Sequence, residues 1–154
     1  MIRPIKGKPK DTTLDYSEAV TSEDEVESLF ELLKEIKIHH PDAQGVSTGA
    51  IASTYQKNRV EKLCDRLGLT SIALLWGRDQ KELLSEMVDK GVVAILIKVA
   101  CYGLTKDHIG KTLNQMKSTL FKLSDDYGVH SCGEGGEFES LVLDCPLFKQ
   151  HIMM

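Results

Sequence analysis

Apolar residues recur along the chain at two periods, and the switches between them lay out an alternation of helices and strands. From Ser22, the positions Val26, Leu29, Leu33 and Ile36 repeat at helical spacing, with Phe30 and Leu32 beside them. Pro41 stops that run after His39 and His40. Ser22 and Glu25 have the spacing of a capping box, in which each side chain satisfies a backbone N–H at the helix start. Residues 45–51 read as a short strand entering a loop of small residues. Ser53 and Gln56 repeat the capping signal, Val60, Leu63, Cys64 and Leu67 form the apolar stripe, and Gly68 suits a left-handed helix end. Residues 71–76 read as a strand. Asp79 with Glu82 starts a third helix, which carries Leu83, Leu84, Met87 and Val88 and ends at Gly91. Residues 92–99 are almost wholly apolar, as expected of a parallel strand covered on both faces. A fourth helix is predicted from Ile109, Leu113, Met116, Leu120, Leu123 and Tyr127, with its stop at Gly128. Residues 137–144 make a last strand, closed by Pro146.

This order predicts an α/β protein with an open, mostly parallel sheet and helices on both faces. The expected organisation is one domain over residues 21–154 behind a polar, aperiodic leader at 1–20. Sheets of this kind bind ligands beyond the carboxyl ends of their strands. The loops at 47–53, 76–79, 98–105 and 132–137 are therefore the places to look for chemistry.

The chain's 154 residues carry a net charge of −4 and an ordinary globular balance of 42% hydrophobic and 27% charged residues. That total argues against nucleic acid as a partner, and the basic residues among the first ten have no aromatics interleaved for base stacking. No apolar run is long enough to span a bilayer, and no apolar core follows the basic start as in a signal peptide. The four cysteines form no CxxC pair and read as reduced thiols. A cytoplasmic protein is the expectation.

Residues 132–139, Cys-Gly-Glu-Gly-Gly-Glu-Phe-Glu, stand out. Glu134, Glu137 and Glu139 place three carboxylates within six residues, and Gly133, Gly135 and Gly136 let the backbone bend sharply and approach a ligand. Alternation along the following strand puts Glu137 and Glu139 on one face and Phe138 on the other. Carboxylates aimed into a buried face need a cation or a donor. A phosphate-cradling loop would instead supply N–H groups and a Lys or Arg. The segment suits a magnesium ion, an ammonium group or a general base, and equally a solvated acidic turn. His130 and Cys132 are a candidate metal pair without a second pair to complete it, so no metal site is assigned. Cys132 beside carboxylates is a poor nucleophile, because its thiolate is disfavoured there.

A second candidate runs from Gly45 to Arg59. A strand, a Ser/Thr/Gly loop and a helix start offer N–H groups and the positive end of a helix dipole to an anion. Ser47, Thr48 and Gly49 lie on that loop, and Tyr55, Gln56 and Arg59 on the first turns of the helix. An ordinary turn with a good cap has the same pattern. Lys98 interrupts the apolar strand near its end, within reach of a phosphate or simply extended into solvent. Trp76 is a stacking platform or plain core.

These segments resemble a known family. Residues 45–51, Gly-Val-Ser-Thr-Gly-Ala-Ile, followed by 55–61, Tyr-Gln-Lys-Asn-Arg-Val-Glu, resemble a signature of diphthine–ammonia ligases. So does the longer stretch from Gly128 through the acidic glycine loop to Phe148, and Leu75-Trp76 and residues 110–116 fit the same pattern. The resemblance implies an adenine-nucleotide α-hydrolase-like fold of the ATP-pyrophosphatase group. It implies ATP with Mg²⁺ as cofactor, adenylation of the diphthine carboxylate on translation elongation factor 2, and displacement of AMP by ammonia. Glu134, Glu137 and Glu139 are then the expected catalytic residues. Gly133, Gly135, Gly136, Phe138 and Trp76 would bind the substrate, whose quaternary ammonium suits carboxylates and ring faces. Ser47, Thr48, Gly49, Tyr55, Gln56, Arg59 and Lys98 would bind the nucleotide. The family's Ser-Gly-Gly-Lys-Asp-Ser pyrophosphate loop is not among these 154 residues, so the resemblance is to the C-terminal part of such an enzyme. That departure leaves a second expectation, a non-catalytic module that recognises elongation factor 2.

Overall fold

The computed structural model describes residues 4–6 and 24–153, so Ser22 of the first capping signal and most of the expected leader lie outside the described residues. The chain divides into two units, residues 1–76 and 77–154.

The N-terminal unit runs α1 (Glu25–His39), β1 (Gly45–Ser47), α2 (Thr54–Leu67) and β2 (Thr70–Ile72). Helix α1 starts on Asp24, whose carboxylate accepts the Val26 N–H at 2.9 Å and is almost fully buried. An acidic N-cap both satisfies an orphan donor and meets the positive end of the helix dipole. Val26, Leu33 and Leu63 form the core between α1 and α2, with Phe30, Ile36, Val46 and Leu67 packed around them. Arg66 of α2 clamps Glu27 of α1 with two bonds, at 2.6 and 2.9 Å, and lies over the Phe30 ring. Helix α2 ends on Gly68 at φ 62°, as its sequence signal required. β1 and β2 pair in parallel, Val46 opposite Ser71. The expected strand at 71–76 is shorter than its apolar run, because β1 offers only three residues to pair with. Beyond Ile72 the chain turns, with the Trp76 N–H donating to the Ala73 carbonyl.

The C-terminal unit runs α3 (Gln80–Asp89), β3 (Val93–Val99), α4 (Leu113–Tyr127) and β4 (Phe138–Asp144). Its core joins Leu84 of α3, Ala94 and Leu96 of β3, Leu113, Met116, Leu120 and Leu123 of α4, and Phe138 of β4. Helix α4 begins later than its apolar spacing suggests. Gly110 takes φ 84° and turns the chain, and Thr112 with Gln115 forms a complete capping box, so Ile109 stays outside the helix and exposed.

β3 and β4 run antiparallel, with Val99 opposite Phe138 and Lys98 opposite Glu139. The described residues thus hold two separate two-stranded sheets, one parallel and one antiparallel, where the alternation of elements had suggested one open, mostly parallel sheet. The cause is the glycine loop. Gly133 at φ 75° and Gly136 at φ 84° reverse the chain after α4, and the Ala100 N–H takes the Glu137 carbonyl at 2.8 Å, starting the strand from the opposite end. The apolar run of β3 is covered only over Ala94, Ile95 and Leu96, while Val93 and Ile97 are exposed.

Candidate functional site

The acidic glycine loop closes on itself around His130. Its backbone N–H donates to Glu137 Oε1 at 3.0 Å, and its ring Nδ1 accepts the N–H groups of Cys132 and Glu134 at 3.2 and 3.5 Å. Its Nε2 stands 3.7 Å from Glu134 Oε2, and both side chains are largely buried. The start of α3 docks beneath. Gln80 accepts the Ser131 N–H on its side chain, and the Cys132 thiol donates to the Gln80 carbonyl at 3.3 Å.

Two glycines lie close against their neighbours. A Cβ on Gly133 would stand 2.9 Å from the Phe138 carbonyl and 3.0 Å from its ring, and one on Gly135 would stand 2.7 Å from Glu137 Oε1. The loop is thus pressed onto the Glu137 carboxylate. Glu137 Oε2 is buried with no hydrogen-bond partner among the described residues, as is Ser131 Oγ. A buried carboxylate oxygen left without a donor is costly and marks a place where a cation or N–H group would be stabilised.

The three glutamates are not equivalent. Glu134 and Glu137 face inward around His130, whereas Glu139 is exposed and its Oε1 meets Lys98 Nζ at 2.7 Å across the β3–β4 ladder. Lys98, grouped by sequence with the nucleotide residues, is thus the cross-strand partner of Glu139 in the C-terminal unit. Phe138 is 4% exposed and belongs to the core, so it supports the loop from below and presents no open ring face. The Cys132 thiol is pushed up to about 11, first by burial and then by Glu134 and Asp79, and it stays protonated at neutral pH. No three His, Cys, Asp or Glu side chains gather into a metal-holding group among the described residues.

In the N-terminal unit, much of the backbone of the βα turn is already engaged. The Thr48 N–H donates to the Ile72 carbonyl and the Gln56 N–H to Ser53 Oγ. Ser47 and Gly49 are exposed at the turn, and a Cβ on Gly49 would meet nothing within 4 Å. Farther along α2, the Arg59 guanidinium is buried, lies 3.3 Å from the Tyr55 ring centroid and donates to the Tyr55 carbonyl. Tyr55, Gln56 and Arg59 line a cavity of about 490 Å³ between α1 and α2, floored by Val26, Leu29 and Leu32. The cavity is mainly apolar, with the Tyr55 ring, the Arg59 cation and the Glu25 carboxylate on its lining. Trp76 is half-buried with the Lys57 ammonium 5.1 Å over its ring, so its cation-binding face has an occupant within the chain.

Sequence reasoning did not find the role of His130 or of Gln80. The His130 to Glu134 spacing is visible in the chain, but the contact of Gln80 with residues 131 and 132 spans about fifty positions and leaves no local signal.

Together, these elements make a mixed α/β chain with a self-closed acidic loop that buries one carboxylate oxygen without a partner among the described residues. A family model described as the diphthamide synthase C-terminal domain matches residues 79–154, and one described as the diphthamide synthase N-terminal domain matches residues 12–71. The chain is 50% identical to the human diphthine–ammonia ligase over 153 residues, covering 99% of this chain and 56% of that protein. For the zebrafish (Danio rerio) diphthine–ammonia ligase the identity is 52%, covering 99% of this chain and 59% of that protein. For the Schizosaccharomyces pombe diphthine–ammonia ligase it is 51%, covering 97% of this chain and 24% of that protein. The chain belongs to the diphthamide synthase family, as a homologue of diphthine–ammonia ligase. It spans little more than half the length of its vertebrate relatives. No helix among the described residues is long and apolar enough to cross a membrane.

Proposed function

We propose that this chain serves ATP-dependent amidation of diphthine to diphthamide on translation elongation factor 2, with ammonia as the nitrogen source, as part of an adenine-nucleotide α-hydrolase-like carbon–nitrogen ligase of the cytoplasm. The observation that carries the reading is the Glu137 carboxylate, with one oxygen held by the His130 N–H and the other buried without a donor. An ammonium ion, or the N–H groups of ammonia, would complete that oxygen's hydrogen bonding. Ammonium must lose a proton before it can attack, and Glu137 and Glu134 are the acceptors in place. The same negative loop suits the quaternary ammonium of diphthine, and Gly133, Gly135 and Gly136 let a substrate approach the backbone. Glu139, tied to Lys98, adds charge at the rim. Tyr55, Gln56 and Arg59 would hold the nucleotide, with Ser47, Thr48 and Gly49 at the neighbouring turn. ATP and its magnesium ion, when bound, would supply the adenylyl group that activates the carboxylate, with AMP and pyrophosphate as the leaving products.

The test is diphthamide formation and pyrophosphate release by the purified chain with ATP, ammonium and diphthine-bearing elongation factor 2. Glu137→Gln keeps the acceptor for His130 and removes the base, so turnover should fall by about 10²-fold or more, with a smaller fall for Glu139→Gln. Near-normal turnover of Glu137→Gln would refute the assignment. Binding of elongation factor 2 without any pyrophosphate release from the unsubstituted chain would favour the recognition-module reading.

A further inference from the structure

Resting on that reading, we propose that His130 is the positioning residue for both inward carboxylates, and that it works as the neutral imidazole with its proton on Nε2. Two backbone N–H groups, of Cys132 and Glu134, converge on Nδ1, so Nδ1 acts as an acceptor and carries no proton. The neutral ring then bears its hydrogen on Nε2, which faces Glu134 Oε2 at 3.7 Å. That separation is a charge–dipole contact rather than a formed hydrogen bond. The same residue's backbone N–H holds Glu137 Oε1 at 3.0 Å. His130 therefore reaches Glu137 through its main chain and Glu134 through its ring, and folds the segment between them. Glu137 Oε2 and Ser131 Oγ lie buried in the same loop, without partners among the described residues. Protonation of Nδ1 would set it against the two N–H groups, so the arrangement selects one tautomer of the neutral ring.

The two ring nitrogens have separable roles, and two substitutions separate them. Asn places an amide oxygen where Nδ1 sits and has nothing at Nε2; Gln reaches the Nε2 position and abandons Nδ1. In the ¹⁵N-labelled full chain, Nε2 should resonate as the proton-bearing nitrogen and Nδ1 as the bare one, and Glu134→Gln should shift Nε2. His130→Asn should keep the amide signals of residues 132–134 and the thermal stability, while amidation turnover falls by about 10²-fold at unchanged KM for elongation factor 2, the scale expected of a misplaced catalytic group. His130→Gln should lose the loop signals as well. A proton on Nδ1, an Nε2 signal indifferent to Glu134→Gln, loss of the loop signals in His130→Asn, or its full turnover would each overturn the proposal. If the unsubstituted chain makes no diphthamide, the proposed reaction fails, and the tautomer and loop signals still decide the role of His130.

Discussion

The closest approach in the acidic loop makes Gly135→Ala an informative perturbation. Gly135 lies outside the left-handed region, so alanine brings no backbone strain there. Its Cβ would stand 2.7 Å from Glu137 Oε1 and 3.0 Å from Oε2, too near for both groups to stay. If the carboxylate swings away, it loses the His130 N–H, and a hydrogen bond to a charged group is worth about 1.5–3 kcal/mol. If it stays, it is forced off its rotamer at about 0.5–1.5 kcal/mol. Gly135→Ala should therefore destabilise the chain by about 1–3 kcal/mol, and the cost should depend on Glu137. In a Glu137→Ala background the partner in the clash is gone, and the same substitution should cost less than about 0.5 kcal/mol. Gly136→Ala is the control: its φ is 84° with nothing within 4 Å of the added atom, so it should cost about 1–2 kcal/mol in either background. Urea unfolding of the single and double variants measures all of these as shifts in midpoint. A coupling between positions 135 and 137 no larger than that between 136 and 137 would refute the claim that the loop presses on the Glu137 carboxylate.

Three further outcomes follow from the C-terminal unit. Thr112→Ala removes the hydroxyl that accepts the Gln115 N–H, one half of the capping box on α4, and should cost about 0.5–2 kcal/mol, read by the same unfolding assay. Leu120→Ala empties a fully buried site in the core and should cost about 2–5 kcal/mol; a loss below 1 kcal/mol, on the order of a surface change, would contradict that core. The Cys132 thiol is raised from 9.0 to about 11, so the folded state holds its proton more tightly than the unfolded state. The associated stability is whole below about pH 9 and is lost as pH rises through about 11. At pH 9, iodoacetamide should label Cys132 far more slowly in the native chain than in urea, and equal rates would contradict the buried, carboxylate-flanked setting.

What the amino-acid order determined by itself was whatever depends on near neighbours. The starts of α2 and α3 on Ser53 and Asp79 and the end of α2 on Gly68 were legible, because caps and left-handed turns are made within a few residues. The acidic glycine loop was legible as a chemical oddity for the same reason, and its motif carries the family. The start of α4 was misread because the apolar spacing continues back to Ile109 while Gly110 turns the chain. Strand direction and the fate of each glutamate belong to tertiary structure. Apolar content marks β3 as a strand but cannot say which neighbour it pairs with; the pairing rests on contacts between residues about forty positions apart, such as Lys98 with Glu139. Alternation made Glu137 and Glu139 look alike. Only folding set one against His130 and Gly135, away from water, and left the other beside a lysine in solvent, because burial is a property of what the rest of the chain packs around a residue.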